Sequence, residues 1–192
     1  MKSKLLLGLL FLLSIQAFSQ EKKWSVEANY PLILGDDYPF GYDGLADLGI
    51  KYRIKSFGLF NIGAGVNTGL LVRHSRSFED LKGRLFYIQP TVFTEMNLNK
   101  FHPFVGLGYS FWNENVTGKL DAQNEVDFHE SLGGLNVNVG LSYDITKSIF
   151  VKAQYDYTRL RANDTFNLEG QNVDFKRKEN VGFLKFGVGI RF

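Results

Sequence analysis

Large apolar side chains alternate with small, polar or charged ones in eight segments of this chain, and that alternation limits its fold more than any other feature. Successive residues of an extended strand face opposite sides, so each segment reads as a strand with one apolar and one polar face. The last nine residues show the pattern plainly. Leu184, Phe186, Val188, Ile190 and Phe192 fall on one side, and Lys185, Gly187, Gly189 and Arg191 on the other. No convincing run at helical period, low-complexity linker or close internal repeat occurs between the amino-terminal region and this terminus.

The segments span about 22–34, 45–55, 57–72, 84–98, 101–113, 132–144, 148–157 and 179–192. Their number is even, as a closed antiparallel barrel with both ends on one side requires. Pro90 interrupts the fourth; proline lacks the ladder donor, which makes a bulge or register shift the expectation there. Connections after the second, fourth and sixth segments are short, near 55–56, 97–100 and 146–147. Those after the odd segments are longer, and the two longest, about 115–131 and 159–178, are rich in Asn, Asp, Glu and Lys. Short turns on one side and long loops on the other are the rhythm of membrane-spanning barrels.

Ahead of the first segment lie Lys2 and Lys4, an apolar run from Leu5 to Leu13, and Ala17 and Ser19 at the small-residue spacing read by a signal peptidase. The apolar run is well short of the roughly 20 residues a spanning helix needs. The expectation is a cleaved signal over 1–19 and one domain over 20–192. Without the two signal lysines the 22 basic residues fall to 20, matching the 20 acidic ones, so nothing points to nucleic acid. With no cysteine there is neither a disulfide framework nor a thiolate metal site.

Alternation alone also fits a soluble ligand-binding barrel, which turns its apolar face inward. The composition of the faces favours lipid. The polar face carries Glu27, Asp47, Lys51, Arg53, Glu95, Asp144, Lys152, Asp156, Lys185 and Arg191, five charges of each sign, among Gly63, Gly65, Gly106, Gly108, Gly140, Gly187 and Gly189. Such a set suits a narrow lumen where acids and bases pair and glycines make room for long side chains, because isolated buried charge is costly. Trp24, Tyr30, Tyr52, Phe101, Tyr109, Phe111, Tyr143, Tyr155, Tyr157 and Phe192 gather on the apolar face, many near strand ends, where aromatic girdles meet the bilayer interface.

The expected fold is therefore all-β: an eight-stranded antiparallel up-and-down transmembrane β-barrel with both termini periplasmic. With its signal, strand count, loop rhythm and the ending Phe186-Gly187-Val188-Gly189-Ile190-Arg191-Phe192, the chain resembles the small eight-stranded outer-membrane β-barrel family of the OmpA transmembrane-domain and OmpX type. The resemblance implies residence in the outer membrane of a diderm bacterium, transit with periplasmic chaperones, insertion by the barrel-assembly machinery through the terminal motif, and a filled lumen.

The chemistry-bearing residues are sparse. His129 and Ser131 lie two apart in Phe128-His129-Glu130-Ser131, where they could share a strand face as a base and a nucleophile. The pair resembles the His-x-Ser of outer-membrane lipid A deacylases, but Leu132 stands where those have Asn, and no orienting acid can be assigned. His74 and His102 are isolated and make a poor metal set. The glycines of Gly63-Ala64-Gly65 and Gly106-Leu107-Gly108 lead into no helix and read as strand glycines rather than a phosphate loop. Lys176-Arg177-Lys178 is a candidate contact for anionic lipopolysaccharide. No catalytic, cofactor-binding or metal residue is assigned. The expected role is a monomeric, non-enzymatic barrel whose outer loops serve envelope structure or surface interaction, in contact with outer-membrane lipid and lipopolysaccharide. A small pore for ions or solutes and a lipid A deacylase-like enzyme are the alternatives.

Overall fold

Each alternating segment forms a strand and pairs with its chain neighbours, and the last pairs back onto the first. In the computed structural model, which describes residues 22–34, 41–74, 82–119, 125–168 and 171–192, the strands are β1 (Trp24–Leu34), β2 (Tyr42–Phe57), β3 (Phe60–His74), β4 (Lys82–Met96), β5 (Phe101–Lys119), β6 (Glu125–Asp144), β7 (Ile149–Leu168) and β8 (Gln171–Arg191). They close as one barrel in sequence order, with every pairing antiparallel. Closure runs from Ser25 opposite Arg191 to Leu34 opposite Gly182, which joins the first and last strands along that span and so closes the sheet on itself. Both described chain ends lie together, where Trp24 and Phe192 exchange backbone hydrogen bonds of 2.9 and 3.0 Å. Residues 1–21, where the sequence places its signal, lie outside the described residues.

Three tight turns share that end. The β2–β3 turn is Gly58-Leu59, slightly later than the sequence suggested, because Gly58 supplies the left-handed φ of 58° that a two-residue hairpin needs. In the β4–β5 turn Asn99 takes the same role at φ 58°, between Leu98 and Phe101, which bridge. The β6–β7 turn is held by the Thr146 hydroxyl, which accepts from the backbone amides of Ser148 and Ile149 at 3.2 and 2.9 Å.

Pro90 does not shift the register. β3 pairs with β4 without a break through Val66 opposite Pro90, and the β4–β5 ladder resumes in the same frame after a gap, from Ile88 opposite Phe111 to Thr91 opposite Gly108. The missing donor is thus absorbed on the β5 side alone. Gly108 lets the strands close there, since a Cβ on it would lie 2.2 Å from the Pro90 carbonyl oxygen. The bulges sit instead in β2, at Gly44/Ala46 and Arg53/Lys55.

The two long connections expected as polar loops are largely strand. β5 and β6 stay paired to Lys119 opposite Glu125, and β7 and β8 to Leu168 opposite Gln171. Those four strands hold 19, 20, 20 and 21 residues, against 11, 16, 15 and 15 for β1 to β4. One half of the wall therefore rises well above the other.

Candidate functional site

Strand parity sends the ten charged side chains inward, as expected: all are buried except Asp144, whose side chain remains 23 % exposed. They form three groups along the lumen. Near the turn end Arg53 donates to Glu95 through Nε and Nη2 at 2.8 and 3.0 Å, and Arg191 pairs with Asp144 and reaches Glu95 at 3.7 Å. His102 lies here too, its ring nitrogens 3.0 Å from Asn97 Oδ1 and 2.9 Å from Asp144 Oδ2. In the middle Glu27 accepts from Lys152 and faces Lys51 at 3.7 Å. Deeper still, Lys185 lies between Asp47 at 2.8 Å and Asp156 at 2.6 Å. Tyr87 and Asn29 also donate to Asp47, at 2.7 and 2.6 Å.

Above Lys185 the lumen holds a second feature, which the sequence reading missed. Tyr42, Leu71, Leu85, Tyr87, Trp112, Leu132, Leu160, Val181 and Phe183 form a buried apolar cluster inside the barrel. The rings of Tyr87, Trp112 and Phe183 stack across the lumen from β4, β5 and β8, with centroid separations of 5.6, 5.7 and 5.7 Å. The Lys185 ammonium sits beneath two of them, 5.0 Å from Tyr87 and 5.6 Å from Phe183, in the geometry of cation–π attraction. Further down, Lys51 lies 4.1 Å from the Phe104 ring and Arg191 lies 4.3 Å from that of Phe150.

A sequence signal for these inward rings exists. Each of four faces a glycine across the ladder: Tyr87 Gly69, Phe93 Gly63, Phe104 Gly140 and Phe150 Gly189. Cβ atoms on those glycines would come within 2.2 to 2.5 Å of ring carbons. The glycines do make room for long side chains, but much of the room goes to aromatics rather than to charges.

The outer wall is apolar. Val92, Leu135, Phe111 and Val188 are 60, 58, 57 and 57 % exposed, and their neighbours along the strands are alike. A continuous greasy girdle of this extent, around a charged interior, belongs in lipid. Just above it, toward the tall hairpins, the outward side chains become basic. Arg159 and Arg161 of β7 and Lys178 of β8 are exposed, with Arg161 opposite Lys178, and the two arginines follow Tyr155 and Tyr157 along β7. The Lys176-Arg177-Lys178 run lies in strand β8 instead of a loop, so its members diverge. Arg177 turns inward to Glu130 at 2.8 Å and Glu179 at 3.2 Å; Lys178 points out, and the side chain of Lys176 lies outside the described residues.

His129 and Ser131 do share an exposed face of β6. Asn113 of β5 lies against both, its amide nitrogen 3.2 Å from His129 Nε2 and 3.2 Å from Ser131 Oγ. An amide hydrogen given to Nε2 occupies the lone pair that a general base needs. His74 pairs with Lys82 through its backbone, and its side chain is outside the described residues. Among the described residues no cluster of His, Asp and Glu is arranged to hold a metal ion.

A closed barrel with lipid-facing apolar residues and internally paired charges defines an integral outer-membrane β-barrel. The chain belongs to the family described as outer membrane protein beta-barrel domain, which matches residues 5–192. In fold it is similar to Ail, the attachment invasion locus protein of Yersinia pestis, at 15 % identity, covering 88 % of this chain and 97 % of that one with a TM-score of 0.54. Neisserial surface protein A is similar at 17 % identity, 88 % and 96 % coverage and TM-score 0.57. A major outer membrane protein of Thermus thermophilus is similar at 14 % identity, 88 % and 99 % coverage and TM-score 0.60. Among curated proteins no sequence matches. The family and these structures are outer-membrane proteins of bacteria, and at such identities the likeness is one of fold.

Proposed function

We propose that this protein is a sealed, non-enzymatic barrel of the outer membrane that holds the β5–β6 and β7–β8 hairpins above the bilayer as a contact surface. The observation that carries this reading is the Tyr87–Trp112–Phe183 stack across the lumen, seated on a Lys185 with no solvent exposure. An ion would have to displace both an aromatic layer and a paired ammonium to pass. In the proposed orientation the short turns and both chain ends are periplasmic, reached after removal of the signal over 1–19 and insertion by the barrel-assembly machinery. Arg159, Arg161 and Lys178 then stand at the height of the outer-leaflet phosphates, where lipopolysaccharide is the natural counter-charge.

Conductance in planar bilayers tests the seal. The intact protein should show no channel events, whereas Trp112→Ala/Phe183→Ala should admit transient ones; steady channels from the intact protein would establish the small-pore alternative. The same purified protein should carry less lipopolysaccharide when Arg161 and Lys178 are both changed to Glu, and an unchanged amount would remove that partner. The Asn113 bridge argues against the deacylase alternative, so Ser131→Ala should leave lipid A composition unchanged on overexpression.

A further inference from the structure

The turn end of the barrel opens into a polar bowl of about 610 Å³, within the range of small-molecule sites. Six cationic side chains line it: Lys22, Lys23, Arg53, Lys55, Lys147 and Arg191. Only two carboxylates do so, Glu95 and Asp144, and both are already engaged by the two arginines. The rim lysines have other partners. Lys22 donates to the Ser148 hydroxyl at 3.2 Å, and Lys55 lies 4.9 Å from the Phe57 ring. Among the described residues no carboxylate pairs with Lys22, Lys55 or Lys147. On the floor, Arg53 is 7 % exposed, and its Nη1 and the Nε of Arg191 are buried without a hydrogen-bond partner. Partial desolvation, and after it the charges of Arg191 and Lys147, lower the Lys22 ammonium from the ordinary lysine value.

We propose that this bowl binds a compact multivalent oxyanion of the phosphate or pyrophosphate type. The ten lumen charges cancel by sign, but the bowl, lined by six cations and two anions, has a net charge of four positive units. A concave surface with one sign of charge focuses field lines and concentrates counter-ions. Lysines at the rim supply mobile point charges for phosphate oxygens, and the guanidinium groups behind them supply fixed ones. The bowl opens along the barrel axis between the turns, so it faces the periplasm in the proposed orientation. Binding itself depends neither on that orientation nor on the seal.

Titration calorimetry with inorganic pyrophosphate tests this on the folded full-length barrel in nonionic detergent, at about 0.15 M salt, where diffuse surface attraction is largely screened. The expected result is saturable binding of one pyrophosphate per barrel, weakened at least tenfold by Lys55→Ala/Lys147→Ala and unchanged by Lys82→Ala, an exposed lysine at the opposite end. Retained heat-modifiability shows that each variant is folded. Repeating the titration in nanodiscs separates the sources of the phosphate. Equal affinity in phosphatidylcholine and phosphatidylglycerol discs assigns the bowl to soluble phosphates, and competition in phosphatidylglycerol discs assigns it to lipid headgroups. No saturable binding, or equal loss in the Lys82→Ala control, would overturn the proposal.

Discussion

Lys185→Met tests whether the lumen is held by paired charge. The Lys185 ammonium has no solvent exposure and lies 2.8 Å from Asp47 and 2.6 Å from Asp156, with Gln89 Oε1 at 3.3 Å. Methionine keeps most of the volume and removes the charge, leaving two buried carboxylates to face each other without a cation. Asp47 retains its donors Tyr87, Asn29 and Asn67, so its loss is partly offset. Asp156 keeps only the Gln154 amide among the described side-chain contacts. Stranding one buried charge costs about 3–5 kcal/mol, and the retained donors set the expected loss near the middle of that range. With a urea slope of about 2 kcal/mol per molar, the unfolding midpoint in detergent should fall by roughly 2 M. The variant Lys185→Met/Asp47→Asn/Asp156→Asn removes all three charges and should recover at least half the loss, because a neutral replacement avoids desolvating ions. A loss below about 1 kcal/mol in Lys185→Met, or a triple variant no more stable than the single one, would refute the account of the lumen.

Two further outcomes are expected. Gly189→Ala places a Cβ 2.3 Å from Phe150 Cζ; overpacking should lower stability by about 1–3 kcal/mol, and adding Phe150→Ala should relieve much of it in a double-mutant cycle measured by urea unfolding. Deleting Phe192 should lower the amount of protein in outer-membrane fractions through loss of the terminal assembly signal, and undiminished levels would remove that role.

The face of each strand was legible because lipid enforces it. An outward charge in hydrocarbon is expensive, so the apolar parity of Trp24 through Leu32 or of Leu135 through Tyr143 is kept without exception. The ten inward charges were legible for the same reason, and their equal numbers anticipated their pairing. The inward rings were not, since a lumen tolerates apolar side chains that the outer wall would also accept. Phe183 shares parity with Lys185, and Trp112 with Ser110, so neither breaks a rule by which lumen residues are recognised. Pairing Tyr87, Phe93, Phe104 and Phe150 with their cross-strand glycines would expose those four, but that requires register, which follows from turns such as Gly58-Leu59; Trp112 and Phe183 face no glycine and carry no such signal.

The tall hairpins were hidden by a related cause. Period-two hydropathy reports contact with lipid on one face and not backbone extension as such. Past Tyr157 the outward side chains of β7 turn basic at Arg159 and Arg161, and the alternation fades into the polar run that suggests a loop, although the ladder with β8 continues to Leu168 opposite Gln171. The ten or so residues beyond Arg159 correspond to about 30 Å of paired strand at roughly 3.3 Å each. A ladder of that length fixes the direction of its side chains. It turns Arg177 inward, where Glu130 and Glu179 neutralise it, and sends Lys178 outward beside Arg161. A flexible loop would have offered Lys176, Arg177 and Lys178 together as one basic patch. The strand divides Arg177 from Lys178, so the outward basic surface is assembled across β7 and β8 from residues that are distant in sequence.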